Sequence, residues 1–186
     1  MTLHASKRLF GRLRETAALV DAFNRVSTTG RSELIVISGA PGIGKSALAH
    51  RLRALIAHDQ SRFAFGKSEA SVDGVTLGPL TQALRMLIAD VLGEGDETLN
   101  PIRARLLADL GGDGRLLLDL VPEAEALTGR PPRGRDLPPA MAQSRLHHGF
   151  AAVLQAFAAA GRPLILLVDD VQWADPATRA VLLALS

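Results

Sequence analysis

Apolar and polar positions alternate along the chain in blocks that predict an order of elements. Leu19, Phe23 and Val26 recur at i, i+4 and i+7 within residues 14–27, which predicts a helix ended by Thr28-Thr29-Gly30. Residues 33–38 (Glu-Leu-Ile-Val-Ile-Ser) are a short β-branched run that suits a buried parallel strand. A glycine-rich turn at 39–44 leads into a helix over 45–58 with Leu48, Leu52 and Leu55 on one side. Residues 62–67 (RFAFGK) read as a second, short strand, and 68–78 as a loop. Pro79 starts a helix to Leu92 whose face carries Leu80, Leu84, Leu87, Ile88 and Val91. Gly93 to Asp96 breaks it. Helices follow over 98–110, in short pieces over 114–127 limited by Pro122, and over 140–160 with Leu146, Phe150, Val153 and Phe157 inward. Residues 164–168 (Leu-Ile-Leu-Leu-Val) form the clearest strand, and Asp175-Pro176 caps and opens a last helix. Strands separated by helices predict a three-layer α/β fold with a parallel sheet, interrupted by a mostly helical insert over 68–160.

Composition narrows the chemistry. The 186 residues carry 21 Lys+Arg against 19 Asp+Glu, a formal charge of +2, so no strong field selects nucleic acid or a membrane surface. The chain has no cysteine, which excludes disulfides, thiol catalysis and Cys-ligated metal sites. Hydrophobic residues make up 47%, enough for a core, yet no apolar run reaches the length of a membrane span and the first residues lack the apolar stretch of a signal peptide. The expectation is a cytoplasmic protein. His147-His148 is an adjacent pair whose side chains diverge by about 100° on a helix, so the two cannot chelate one metal; one exposed and one half-buried ring is expected. Arg130, Arg133 and Arg135 fall in the Pro-rich segment 129–139 and read as a solvated linker.

Two segments carry chemistry. Residues 39–46, Gly-Ala-Pro-Gly-Ile-Gly-Lys-Ser, fit G-x-x-x-x-G-K-[ST] between a predicted strand and a predicted helix. Gly39, Gly42 and Gly44 permit the tight turn that aims successive N–H groups at one centre, and the following helix adds its positive end. Ala40, Pro41, Ile43 and Ala47 complete the phosphate-binding stretch, Lys45 reaches the β- and γ-phosphates, and the Ser46 hydroxyl suits Mg²⁺. The strand at 164–168 ends in Asp169-Asp170. Asp169 is placed for the metal shell and Asp170 as general base toward the attacking water, with Mg²⁺ and Lys45 offsetting their mutual repulsion.

Phe10-Gly11-Arg12 with Glu15, the loop GAPGIGKSAL and the segment LILLVDDVQWADPAT resemble bacterial AAA-type ATPase modules of the STAND class, found in large multidomain signalling proteins. The resemblance spans essentially the whole chain and implies a P-loop NTPase core of the AAA/ASCE type that binds ATP and Mg²⁺ and acts as a nucleotide-dependent switch beside an attached signalling module. It implies that Phe10, Gly11 and Arg12 lie against the adenine. Trp173, after the acids, reads as a packing anchor rather than a stacking platform. Such a domain continues into a fourth strand with a polar sensor residue, a fifth strand and a helical lid. The chain stops one helix past Asp170, so only the first part of the domain is expected, with weak hydrolysis by itself and with Val181, Leu182 and Leu185 poorly covered. Two other readings stay open: a non-catalytic nucleotide-binding or interaction domain, and a small P-loop kinase, which the QWAD segment disfavours.

Overall fold

The structure, a computed structural model, describes residues 12–56, 61–69, 77–110, 118–129, 139–158 and 162–185. The chain divides into two compact units, Met1–Ser61 and Arg62–Ser186.

In the first unit, helix α1 spans Leu13–Thr29 and buries Thr16, Leu19 and Ala22, with Phe23 and Val26 half-buried on the same side. Gly30 ends it in the left-handed region at φ 68°, where its N–H reaches Val26 O at 2.9 Å. Arg25 grips Glu33 bidentately at 2.8 and 2.7 Å, fixing where the chain leaves the helix. Helix α2 spans Lys45–Leu55 and buries Leu48, Ala49 and Leu52; Ile56, in extended backbone just beyond, is buried as well.

Two expectations fail here. Leu55 is 53% exposed, because the buried arc of α2 is centred between Leu48 and Ala49 and Leu55 falls to its edge in the last turn. Residues 33–38 do not form a strand: they carry no ladder, and Leu34, Ile35 and Val36 are exposed. A β-branched run becomes a strand only where a neighbouring strand takes its N–H and C=O groups, and the described part of this unit supplies two helices and no strand.

The second unit holds a two-stranded parallel sheet. Strand β1 is Arg62–Lys67 and β2 is Leu164–Asp169, paired from Arg62↔Leu164 to Lys67↔Asp169. The three-strand sheet expected from the hydrophobic runs is therefore two-stranded among the described residues, and RFAFGK, the weaker of the predicted strands, is one of the two. The crossover between them is helical, as predicted: α3 (Gly78–Leu92), α4 (Asp96–Leu110), a 3₁₀ turn (Pro122–Ala124), α5 (Glu125–Thr128) and α6 (Pro139–Ala158). After β2 come a 3₁₀ turn, Val171–Trp173, and α7, Pro176–Ala184.

The core lies against α3, whose Leu80, Leu84, Leu87, Ile88 and Val91 are all buried as the periodicity requires. Ile102, Leu106 and Leu110 of α4 and Phe150, Leu154 and Phe157 of α6 complete it. Leu146 and Arg130, Arg133 and Arg135 lie outside the described side chains. Val181 of α7 is fully buried and Leu182 and Leu185 pack against the core, so the face expected to be poorly covered is closed by α6 and α3. His148 is exposed and His147 half-buried, as expected.

Two devices fix the sheet. Gly66 of β1 lies so close to α3 that a Cβ there would sit 1.9 Å from the Pro79 carbonyl oxygen. At the opposite end of the strands, the wholly buried Arg62 side chain grips Glu94 bidentately at 3.0 and 3.1 Å, Arg162 donates to the same carboxylate, and Arg62 N–H donates to Pro163 O at 2.9 Å. Burial pushes the Glu94 carboxyl up, but the two guanidiniums outweigh it and hold it below the usual range. One consequence is a buried Arg62 Nε without a hydrogen-bond partner. No helix among the described residues is long and apolar enough to cross a membrane.

Candidate functional site

The glycine-rich turn at 39–44 has the backbone its sequence predicts. Gly42 and Gly44 stand at φ 78° and 95°, a region that L side chains rarely adopt, and Gly44 opens α2 with no side-chain cap on the helix start. Uncapped N–H groups at the start of an eleven-residue helix, facing a turn of positive-φ glycines, suit an oxyanion. Two cations hold the carbonyls of this turn. Lys45 Nζ donates to Gly39 O at 3.0 Å and Ala40 O at 3.1 Å, and Arg12 Nη2 donates to Ile43 O at 2.5 Å. Within the turn, Ile43 N–H donates to Ala40 O at 3.4 Å.

Pro41 and Ala47 lie in this same segment, and Ser46 in the first turn of α2. Arg12 is described and touches the turn rather than standing apart from it; Phe10 and Gly11 lie outside the described residues. Ser46 in the first unit carries a hydroxyl and Asp169 in the second a carboxylate, each a hard oxygen of the kind Mg²⁺ takes, and no group of three or more His, Cys, Asp or Glu gathers among the described residues. Mg²⁺ needs few protein ligands, since it keeps several waters and takes others from phosphate.

In the second unit, β2 delivers Asp169 as its last residue, in register with Lys67 of β1. The Asp169 carbonyl accepts the Ser68 N–H at 3.0 Å and its Oδ1 accepts the Asp170 N–H at 3.0 Å. Asp170 stands in the left-handed region at φ 53°, which turns the chain sharply off the strand. Its Oδ1 accepts Gln172 Nε2 at 3.1 Å and its Oδ2 lies 3.8 Å from Lys67 Nζ. Among the described residues of this unit, Lys67 is a cation beside Asp170, and it is not one of the residues expected at the site. Lys67 is itself placed by its N–H, which donates to Gln82 Oε1 of α3 at 2.8 Å. Trp173 is 58% exposed, so it is not the packing anchor expected; the 3₁₀ turn that carries it stands off the core, with Val171 exposed beside it.

Asp175 does more than cap. Its Oδ1 accepts Ala177 N–H and Thr178 N–H, both at 3.0 Å, the expected cap of α7. Its Oδ2 accepts Thr178 Oγ1 at 2.5 Å and Leu77 N–H at 3.1 Å, across 98 residues. Burial pushes its carboxyl up, but these hydrogen bonds prevail and hold it below the usual range.

Residues 8–186 match the AAA ATPase domain family, and the chain belongs to it. The P-loop α/β fold and nucleotide binding follow from that membership. Among curated proteins the chain is similar to hybrid signal transduction histidine kinase G of Dictyostelium discoideum, 29% identical over 175 residues. That alignment covers 94% of this chain and 5% of the relative, so the chain corresponds to a small part of a much longer signalling protein. No solved structure matches.

Proposed function

We propose that this chain is a Mg·ATP-binding switch module of a signalling protein, with slow hydrolysis. The observation that carries the reading is the turn at 39–46: positive-φ glycines, an uncapped helix start and two cations on the loop carbonyls, within an AAA ATPase domain. Gly39, Ala40, Gly42, Ile43, Gly44, Ser46 and Ala47 cradle the phosphates through backbone amides, with Pro41, which has no N–H, shaping the turn, and Lys45 leaves the Gly39 and Ala40 carbonyls for the β- and γ-phosphates. Arg12 contributes to the same nucleotide through the loop. Ser46 and Asp169 would hold Mg²⁺, which neutralises charge on the phosphates when bound.

Asp170 is the residue to accept a proton from the attacking water. One of its oxygens is already engaged by Gln172 and the other faces Lys67, and a base so occupied suits a slow enzyme or a nucleotide-holding module. The relative's printed name supports an output in signal transduction, and in this reading the module acts in the cytoplasm beside an attached signalling module. The test is a titration with fluorescent ATP with and without Mg²⁺. Saturable, Mg²⁺-dependent binding that Lys45→Ala removes supports the reading, and equal affinity in Lys45→Ala sinks it. Phosphate release above the Lys45→Ala background that Asp170→Asn removes would establish turnover.

A further inference from the structure

The start of α3 is held from three directions, two from β1 and one from the cap of α7. Its Pro79 backbone lies against Gly66, its Gln82 accepts the Lys67 N–H, and the Leu77 N–H just before it donates to Asp175. Leu77 is in the left-handed region at φ 63° with its side chain wholly buried. A non-glycine residue persists there only where its surroundings over-determine it, at a cost of about 1–3 kcal/mol. Here the fixing contacts are the buried side chain, Thr81 N–H on Leu77 O at 2.9 Å, and the Asp175 carboxylate. The same carboxylate ends the turn that begins at Asp170, whose backbone is also left-handed and whose carbonyl accepts Trp173 N–H at 2.9 Å.

We propose that Asp175 is a positioning residue that joins the acid turn, 170–174, to the first turn of α3, so that displacement of one is passed to the other. The two oxygens divide the work. Oδ1 serves the amides at the start of α7, as any aspartate cap does, while Oδ2 takes the Thr178 hydroxyl and also reaches outside its own helix to Leu77. A cap alone needs one oxygen; the second makes the link. The acids at 169–170 then report through Asp175 to α3, and through α3 to the helical core that it anchors. The signalling meaning of this link rests on the proposed role of the acid pair, but the link itself does not.

Hydrogen exchange in the nucleotide-free chain tests it. Gln172→Ala releases Asp170 from its amide partner and loosens the acid turn. In the wild-type background this is expected to speed exchange of the Leu77 and Thr81 amides within 77–81 by about fivefold while leaving α4 unchanged. Asp175→Asn keeps one acceptor oxygen for α7 and presents an amide to Leu77, so in that background Gln172→Ala should have no further effect on 77–81. Thr178→Val removes only the hydroxyl donor and should preserve the coupling. Asp175→Ser, which retains a hydroxyl cap, replaces Asp175→Asn if the latter does not fold. An equal effect of Gln172→Ala in both backgrounds overturns the proposal, as does no effect on 77–81 in the wild type. Loss of folding in both Asp175 variants would assign the residue to stability alone and overturn it too. Because no nucleotide is present, the outcome is separate from whether Mg·ATP binds.

Discussion

Gly66→Ala is expected to destabilise the second unit far more than its size suggests. The added methyl would sit 1.9 Å from the Pro79 carbonyl oxygen, 2.6 Å from its carbonyl carbon and 2.8 Å from its Cα, where real Cβ contacts start near 3.0 Å. All three atoms are backbone, so no side chain can swing aside. β1 and the first turn of α3 must separate by more than an ångström. That strains the Lys67 N–H bond to Gln82 at 2.8 Å and the packing of Leu80 and Leu84 beneath it. Overpacking of this kind costs about 1–3 kcal/mol and more where the backbone must move. Against it stands a gain of about 0.4–1 kcal/mol from restricting the unfolded chain. From the upper end of that cost, the net expectation is a loss of about 2 kcal/mol, or roughly 7 °C in Tm for a unit of this size. Thermal and urea unfolding followed by circular dichroism measures it. A Tm within about 2 °C of wild type would refute the reasoning, because it would mean that β1 and α3 are not in close contact at Gly66.

Gly149→Ala is the complementary case: its Cβ would meet Leu110 Cδ2 at an ordinary 3.6 Å in the middle of α6, so the same assay should show a gain of about 0.5–1 kcal/mol. Glu94→Gln leaves the buried Arg62 without its countercharge and should cost about 3 kcal/mol in urea unfolding. The pH dependence has a definite sign. The Glu94 carboxyl is held below its unfolded value, so its contribution is fully present above the ordinary carboxylate range and is lost as pH falls through the folded pKa; stability of Glu94→Gln should fall less steeply over that acidic window. Asp170→Asn should retain Mg·ATP binding while losing any phosphate release, read in one coupled assay.

Much of the architecture was legible in the chain. The stripe Leu80, Leu84, Leu87, Ile88, Val91 marked α3 because a helix packed in a core must be apolar at that period. Asp175-Pro176 marked α7 because the cap chemistry is local. The glycine turn was legible for the same reason: positive φ at Gly42 and Gly44 is a property of the residues themselves. What failed depended on partners. Residues 33–38 have the composition of a buried strand, but a strand is made by its neighbours. RFAFGK looked weaker, with Gly66 in it, yet that glycine is what lets α3 approach. Lys67 beside Asp170, and Asp175 reaching Leu77, could not be read locally, since each joins segments about a hundred residues apart in sequence. The exposure of Trp173 went against the average behaviour of a single tryptophan because its turn is carried off the core by the left-handed Asp170.

The central claim is that the backbone of 39–46 holds the phosphates of ATP. Hydrogen exchange at the amides of residues 42–46, with and without saturating Mg·ATP, tests it most directly. The account predicts marked slowing at these amides in the wild-type chain and none in Lys45→Ala. Unchanged exchange at 42–46 under saturating Mg·ATP, or equal slowing in Lys45→Ala, would contradict it.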